Sequence, residues 1–427
     1  MEKVLILTYY WPPSGGPGVQ RWLKFVKYLP EYGYDPVVIT VDPHLATYPV
    51  VDTGLNDDVL SGIEIVKTST REPYALYKKI FGKKQVPHSG FANEEGQGPG
   101  SALSRFIRGN FFIPDARKGW NPFAISAAEK LLKKYRIKTL ITTSPPHSTQ
   151  LAGLMLKKKY PHLNWIADLR DPWTDIFYYS KMLHLPFARK RDAKMEADVL
   201  HHADMLVTVS SALAELFNSK ISKESRKKIQ VITNGFDHED FSDPVPEKEY
   251  SDFTITYTGT LSESYYLDGL IKAIEGLPDH QQVRLRIAGS ICPLWSEKLE
   301  NLLGNRLIRL GHVDHSRAIR EMQQASMLLL VIPRIENNEG ILTGKLFEYL
   351  ASQRPVMGIG PLNGEAAKIL QATQCGTMFD YNDAYNMGRF IARSMNGEQM
   401  SVPDKDAVIQ FSRKELTGKL AELIGMS

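Results

Sequence analysis

A lysine and a glutamate stand three residues apart in the segment GILTGKLFEYLASQRPV, at Lys345 and Glu348. The apolar spacing of this segment predicts a helix that begins at Gly344 with Thr343 as its N-cap. The predicted buried face consists of Leu346, Phe347 and Leu350. The predicted opposite face consists of Lys345, Glu348, Tyr349 and Ser352.

The charges on this helix are of a kind that could hold a nucleoside diphosphate. A lysine in the first turn opposes the helix dipole, and a bound diphosphate would compensate for it by accepting hydrogen bonds from Lys345 and from the first-turn N–H groups. Glu348 lies one turn further on, where its carboxylate could accept two hydrogen bonds from a ribose diol. The alternative is an ordinary surface pair of Lys345 and Glu348, and the sequence leaves both interpretations open.

A glycine-rich loop follows the first predicted strand, in the segment TYYWPPSGGPGVQRW at residues 8–22. The next helix is predicted to begin near Pro17, so Gly15 and Gly16 precede it and leave bare backbone where an anion or a sugar could approach. The dinucleotide-binding fingerprint fits poorly, because its third glycine is missing and the loop is longer than that tight turn. Asp42 ends the second predicted strand, where the acidic residue of an NAD site would stand, so an NAD site is one alternative. In a further alternative, Gly15 and Gly16 bind no ligand and only allow a tight turn between the strand and the helix.

Polar residues also follow two later strands. His147 comes after SPP at a strand end, where α/β folds place ligand contacts, and a structural histidine is the alternative. Asp168, Arg170 and Asp171, in DLRDPW, form either a charged cluster at the acceptor or a structural ion-pair network. No spacing typical of a metal site is found, so no metal is expected.

Composition excludes several classes of protein. Of the 427 residues, 52 are lysine or arginine and 48 are acidic, and a net charge of +4 is too small to indicate a nucleic-acid partner. No apolar run is long enough for a membrane span, no signal peptide is recognised, and the two cysteines suit a reducing compartment. We therefore expect a cytoplasmic protein. The basic segments 130–138 and 188–194 predict either peripheral contact with an anionic membrane or solvated helix faces.

Short apolar runs alternate with amphipathic segments, which predicts two doubly wound α/β domains. The strands predicted in the first half are 3–8, 36–41, 138–143, 164–168, 205–209 and 229–232. The strands predicted in the second half are 253–258, 283–288, 307–310, 327–331, 355–360 and 376–379. The predicted domains are 1–243 and 252–403, followed by a C-terminal helix at 404–427 that packs on either of them. Residues 83–105 are polar and glycine-rich, which predicts a long mobile loop.

Several motifs occur in a characteristic order along nearly the whole chain. They are PPSGGPGVQR, TSPPHSTQLAG, DLRDPW, VITNGFD, YTGTL, LGHV and GKLFEYLASQRPV. On these motifs the chain resembles the retaining nucleotide-sugar glycosyltransferases of the GT-B fold, in particular the large bacterial family 4. The resemblance implies two Rossmann-like domains that face each other across a cleft. The first domain would bind the acceptor and the second the nucleotide sugar.

The resemblance also assigns roles to residues. It implies that His147 lies near the transferred sugar, Glu348 at the ribose and backbone near Val313 at the base. The residues expected at the donor are Gly15, Gly16, Gly259, Thr260, Val313, Thr343, Gly344, Lys345 and Glu348. The residues expected to be catalytic are His147, Lys345 and Arg334.

Two departures from the family pattern bear on these roles. The usual pair of glutamates is displaced, since Glu339 stands one position away from where the first is expected. The usual arginine and lysine after the first strand of the second domain are replaced by Thr260 and Ser262, so Lys345 and Arg334 are the candidates for neutralising the leaving diphosphate.

The activity implied is transfer of a sugar from a nucleoside-diphosphate sugar to a glycan or a lipid-linked acceptor, with retention of configuration and without a cofactor. The resemblance suggests a role in cell-envelope polysaccharide synthesis, at the inner face of the membrane. A non-catalytic paralogue that binds a glycan or a partner, and an NAD-dependent oxidoreductase, are the two alternatives.

Overall fold

The structure is a computed structural model, and it describes residues 1–72, 99–176, 178–223, 228–242, 252–279, 282–398 and 402–426. The chain forms two compact units, of which the first comprises residues 1–233 and 416–427 and the second residues 234–415. Most of the loop predicted at 83–105 lies outside the described residues, but its last part is helical, because a helix begins at Pro99.

The first unit is built on a parallel sheet, in which seven strands are described. In chain order they are β1 (Glu2–Leu7), β2 (Tyr34–Val41), β3 (Glu64–Thr68), β4 (Thr139–Ser144), β5 (Asn164–Leu169), β6 (Met205–Thr208) and β7 (Ile229–Val231). Their order in the sheet is β3-β2-β1-β4-β5-β6-β7. The sequence patterns missed β3, because this short edge strand is only half-buried and lacks the apolar run that marks the central strands.

The second unit is built on a parallel sheet with six described strands. They are β8 (Phe253–Thr258), β9 (Val283–Ala288), β10 (Leu307–Gly311), β11 (Met327–Val331), β12 (Val356–Ile359) and β13 (Gly376–Phe379). Their order in the sheet is β10-β9-β8-β11-β12-β13. The prediction of two doubly wound α/β domains is therefore confirmed.

Helices connect the strands of both units. In chain order the described helices are α1 (Pro17–Tyr28), α2 (Pro99–Phe111), α3 (Asn121–Tyr135), α4 (Ser148–Lys159), α5 (Pro186–His202), α6 (Ser211–Lys220), α7 (Asp268–Glu275), α8 (Pro293–Leu303), α9 (His315–Gln324), α10 (Gly344–Ala351), α11 (Glu365–Thr373), α12 (Ala384–Met395), α13 (Lys405–Ile409) and α14 (Arg413–Gly425). The predicted terminal helix is thus two helices. Apolar residues of α14, among them Leu416 and Leu420, belong to the core of the first unit together with Val4 and Trp22.

The strand order places the ends of particular strands together. In each sheet the order reverses beside the first strand of its unit, between β1 and β4 in one and between β8 and β11 in the other. In parallel α/β sheets, ligands bind beyond the carboxyl ends of the strands at such a reversal. None of the helices within the described ranges combines the length and apolar character that crossing a membrane requires.

Candidate functional site

In the second unit, the first turn of α10 lies beside the end of β8. The Lys345 ammonium group donates a hydrogen bond of 2.6 Å to the Tyr257 hydroxyl and lies 3.8 Å from the centre of that ring. Gly259 lies directly beside it, since a Cβ added there would be 3.0 Å from Lys345 Nζ. The backbone at Gly259 has φ of +104°, which also favours glycine. The structure thus places Lys345 and Gly259, two of the residues predicted to bind the nucleotide sugar, side by side.

The charge of Lys345 is poorly compensated by the chain. Burial lowers the pKa of its ammonium group to about 7, and the opposing effect of Glu348 is the smaller of the two. Within the described residues, Lys345 forms no ion pair with a carboxylate, because Glu348 pairs with His315 instead. A bound anion at this position would restore the charged form of the lysine.

Among the described residues, no side chain caps the amino terminus of α10. The helix begins at Gly344 with Thr343 at the N-cap position, as predicted, but the Thr343 hydroxyl makes no capping hydrogen bond. The Thr343 oxygen is instead buried, and it has no partner in the part of the chain that the structure describes. The Leu346 N–H donates to the Thr343 carbonyl at 3.2 Å, so the first-turn N–H groups that can bind an acceptor from outside the chain are those of Gly344 and Lys345.

Glu348 pairs with a histidine from a neighbouring helix. Its Oε1 lies 3.0 Å from Nε2 of His315, the first residue of α9. Asp314 caps α9 by accepting a hydrogen bond of 2.7 Å from the backbone N–H of Arg317, and this cap fixes where α9 begins. Val313, which precedes the cap, is half-buried. Sequence reasoning missed His315, although it lies only two residues beyond the motif LGHV.

Two residues predicted on the outer face of α10 are buried. Tyr349 is fully enclosed, and its hydroxyl accepts a hydrogen bond of 3.0 Å from the backbone N–H of Thr258 at the end of β8. The Ser352 hydroxyl donates to the Tyr349 carbonyl at 2.7 Å. The prediction for both is wrong, because the pattern treated a tyrosine and a serine as polar, whereas each meets its hydrogen-bonding needs inside the unit.

The loop after β8 packs against Gly289, a second glycine that sequence reasoning did not select. A Cβ added at Gly289 would lie 2.0 Å from the Gly259 carbonyl oxygen, so the two backbones touch. Thr260 is exposed, with its hydroxyl accepting from Ser290 at 3.1 Å and its carbonyl accepting from Tyr257 at 2.9 Å. Tyr257 therefore links this loop to Lys345.

Arg334 and Glu339 follow β11. The Arg334 guanidinium is exposed and lies over two aromatic rings, 4.9 Å from Tyr266 and 5.5 Å from Tyr381. Glu339 is exposed as well, and the buried residue of this loop is Asn338, which donates to the Tyr381 hydroxyl at 2.8 Å. These contacts hold the Arg334 side chain on an aromatic surface, and the Arg334 N–H donates to the Ser264 carbonyl, in the loop after β8, at 2.7 Å.

In the first unit, the glycine loop pairs with a segment further along the chain. The Gly15 N–H donates to the Val50 carbonyl at 3.0 Å, and a Cβ added at Gly15 would lie 3.0 Å from the Val50 side chain. Gly16 has φ of +110° and open space around it, and it stands at the N-cap of α1. Gly15 thus permits a close backbone approach, and Gly16 adds no side chain of its own at the start of α1.

Gly18 is the glycine of this loop that faces the charged cluster. A Cβ added there would lie 1.6 Å from Nη1 of Arg170, so the guanidinium passes directly over the first turn of α1. Arg170 also donates from Nε to the Ser144 carbonyl at the end of β4, at 2.9 Å. Sequence reasoning did not select Gly18, because its partner lies far along the chain on another strand end.

The three charged residues at the end of β5, of which Asp168 lies within the strand, have different surroundings. The buried Asp168 carboxylate accepts hydrogen bonds from Arg21 at 3.2 Å and from Trp22 at 2.7 Å, which supports its structural interpretation. Burial raises the pKa of Asp171, although Arg170 opposes this effect. Arg170 thus lies beside the glycine loop, and Arg170 and Asp171 stay candidates for contact with a ligand.

His147 precedes α4 and stacks on Trp173, with ring centres 4.8 Å apart and planes inclined by 16°. Burial, aided by the positive charge of Arg170, lowers the pKa of the imidazole to about 3. Its Nδ1 is buried without a hydrogen-bond partner among the described residues. Near neutral pH the His147 imidazole is therefore uncharged, and its ring nitrogens can donate a hydrogen bond to a bound molecule or accept one from it.

Asp42 lies where a dinucleotide-binding acid would stand, but its carboxylate accepts a hydrogen bond of 3.0 Å from the backbone N–H of His44. The Asp42 carboxylate therefore stabilises a local turn of its own loop. The structure therefore adds nothing in favour of an NAD site.

No model of a known protein family matches the sequence, and no curated protein matches it either. Solved structures do share the fold. HepE from Anabaena, in complex with UDP, has a TM-score of 0.61 and 12% identity, with 100% of each chain covered. HepE has also been solved with UDP-glucose. A glycosyltransferase from Rickettsia africae has a TM-score of 0.57 and 17% identity, with 99% of this chain and 98% of its own covered.

The N-terminal domain of a trehalose-6-phosphate phosphatase from Candida albicans is similar too, with a TM-score of 0.59, 11% identity and coverage of 100% of this chain and 97% of its own. Proteins with different names therefore share this architecture, and one fold can carry different activities. At these identities the likeness concerns the fold. Together with the two parallel sheets, it shows that the chain has the two-domain, Rossmann-like GT-B fold.

Proposed function

We propose that this protein is a glycosyltransferase that takes a sugar from a nucleoside-diphosphate donor and transfers it to a glycan or a lipid-linked acceptor. The donor would bind to the second unit, at the start of α10, and the acceptor to the first unit. The motif resemblance further favours retention of configuration, no metal or cofactor, and a cytoplasmic role in cell-envelope polysaccharide synthesis.

One observation carries the proposal: an uncapped helix start and an incompletely compensated lysine occur at the same place. The first turn of α10 has no side-chain cap, and the ammonium group of Lys345 beside it forms no ion pair within the described residues. Backbone N–H groups and a lysine are together suited to a diphosphate, which can accept hydrogen bonds from both. HepE, which has the same fold, binds UDP and UDP-glucose.

In this proposal the chain promotes the reaction by electrostatic stabilisation. As the bond between the sugar and the diphosphate breaks, negative charge accumulates on the diphosphate, and Lys345 and the first-turn N–H groups stabilise it. Glu348 accepts hydrogen bonds from the ribose, and His315 keeps its carboxylate in position. Arg334, whose exposed guanidinium lies over Tyr266 and Tyr381, is the second cation proposed for the diphosphate.

The first unit would hold the acceptor and the transferred sugar. His147 is an uncharged imidazole with a buried ring nitrogen that has no partner within the described residues, so it can bind a sugar hydroxyl or carbonyl. Gly16 leaves room for a ligand near the backbone, and Arg170 supplies a cation over the neighbouring Gly18. Binding both substrates in one geometry lowers the barrier by orienting the reacting atoms.

The proposal is tested by titrating UDP-glucose, and then a panel of other nucleotide sugars, into the purified protein by calorimetry. Lys345→Ala and Glu348→Ala should each weaken the binding of the best donor at least about tenfold, since each removes a charged hydrogen-bonding partner. Lys272→Ala, on α7, serves as the control and should leave binding unchanged. Unchanged binding in both site variants would refute the assignment of α10.

Two alternatives predict different results. A non-catalytic paralogue would bind a glycan while showing no affinity for any uridine, guanosine or adenosine diphosphate sugar. An NAD-dependent oxidoreductase would bind NAD and lose that binding in Asp42→Ala. Transfer of sugar to an acceptor, with neither of these results, supports the glycosyltransferase.

A further inference from the structure

Large apolar side chains are exposed on two adjoining segments of the first unit. They are Leu103 and Phe111 on α2, and Leu183, Leu185 and Phe187 before and at the start of α5. Phe187 is 74% exposed and Phe111 is 65% exposed. Single exposed apolar residues are common on protein surfaces, but several on adjoining segments indicate an interaction site.

The two segments are held together by specific contacts. Asn110, near the end of α2, accepts a hydrogen bond of 2.7 Å from the Leu185 N–H and donates one of 3.1 Å to the Leu183 carbonyl. A Cβ added at Gly109 would lie 2.1 Å from the Met182 carbonyl oxygen, so the backbones touch. The apolar side chains therefore belong to one structured surface.

Basic residues continue this surface along α5. Phe187, Lys190, Arg191 and Lys194 recur at helical spacing, and all four are exposed. The opposite side of α5 is buried, and its buried residues are Ala188, Asp192, Glu196, Val199 and Leu200. Lys194 pairs with Asp198 at 3.1 Å, whereas Asp192, next to Arg191, is turned inward. The net positive charge of this outer face therefore comes from Lys190 and Arg191.

A further cation extends the positive charge towards α2. Lys118 is exposed, and its ammonium group donates a hydrogen bond of 3.1 Å to the carbonyl of Phe111. Arg191 is close enough to contribute, after burial, to lowering the pKa of Lys118. A cation therefore lies beside each exposed phenylalanine, with Lys118 at Phe111 and Arg191 one helical turn from Phe187.

We propose that this apolar-basic surface, formed by the five apolar residues named above with Lys118, Lys190, Arg191 and Lys194, docks on a bilayer that contains anionic lipids. Apolar side chains beside basic ones suit an interface in which the former enter the acyl boundary and the latter meet anionic headgroups. The surface lies within the first unit alone, so the proposal does not depend on the donor site of the second unit.

The other basic segment of the sequence lacks the apolar component. On α3, Lys130 and Lys133 are exposed, but the large apolar residues Leu131 and Leu132 beside them are buried. This difference favours α5 over α3 as the membrane-binding helix, and α3 provides a matched control.

The proposal is tested by sedimenting the full chain with vesicles of phosphatidylcholine alone or of equal parts phosphatidylcholine and phosphatidylglycerol. We expect binding to the anionic vesicles only, and weaker binding at higher salt. Each lysine or arginine at an anionic surface contributes about fivefold in affinity, so Lys190→Glu with Arg191→Glu should weaken binding at least about 25-fold. Phe187→Gln should weaken it by a smaller factor, without loss of the salt dependence.

The control is Lys130→Glu with Lys133→Glu, which makes the same change in net charge on α3 and should leave binding nearly unchanged. Equal losses in both double variants would mean that net charge alone attracts the protein, and would overturn the proposal. Failure of the wild-type chain to bind the anionic vesicles would also overturn it. A change in oligomeric state in Phe187→Gln, without vesicle binding, would instead assign the surface to a second copy of the chain.

Discussion

Lys345 should make the binding of a nucleotide sugar depend on pH in a defined direction. Burial lowers the pKa of this lysine to about 7 in the unliganded chain. A bound diphosphate favours the charged form, so the lysine must take up a proton on binding whenever the pH lies above its free pKa. Affinity should therefore fall as the pH rises through about 7 and above.

The magnitude follows from proton linkage. If only the charged lysine binds the diphosphate, the apparent Kd is multiplied by one plus ten raised to the difference between the pH and the free pKa. With a free pKa of about 7, this factor grows from about 2 at pH 7 to about 33 at pH 8.5. The Kd of UDP-glucose should thus rise about sixteenfold across this range.

Calorimetric titration at several pH values measures this change, and titration in buffers of different ionisation enthalpy counts the protons taken up. Tyr257, the other titratable group in contact with the ammonium, stays neutral here, because burial raises its pKa well above the ordinary value. Lys345→Met should bind more weakly and show little dependence on pH. The reasoning is refuted if the wild-type Kd is the same at both ends of the range. It also fails if Lys345→Met keeps the same slope, which would assign the proton to another group, such as His315 beside Glu348.

Two further predictions concern the first unit. Asp168→Ala leaves the buried guanidinium of Arg21 without its carboxylate partner and should lower the free energy of unfolding by about 3–5 kcal/mol, as measured by urea denaturation. Asp198→Ala, which breaks a partly exposed ion pair on α5, should cost less than about 1 kcal/mol. Gly18→Ala should displace Arg170, because the new Cβ would lie 1.6 Å from its guanidinium nitrogen. We expect sugar transfer to fall at least about tenfold while the free energy of unfolding changes by no more than about 1 kcal/mol, and full activity would contradict the placement of Arg170 at the site.

Much of the fold follows from short-range patterns. Every strand that was predicted is present, and α1 begins at Pro17, where the proline and the preceding glycines placed it. The edge strand β3 was missed, because only its position in the sheet makes it a strand. Tyr349 and Ser352 were assigned to the wrong side of α10, since residue polarity does not reveal whether a hydroxyl finds a partner inside the protein.

The sequence by itself determined the alternation of strands and helices, the two α/β units, and the segments that stand at strand ends. These features depend on apolar periodicity and on glycine and proline signals, which act over a few residues. The tertiary structure decided which side chains meet. Lys345 contacts Tyr257, which is 88 residues away, Glu348 contacts His315, which is 33 residues away, and Gly18 lies under Arg170. These pairs depend on the order of strands in each sheet, which brings together strand ends that no local pattern connects.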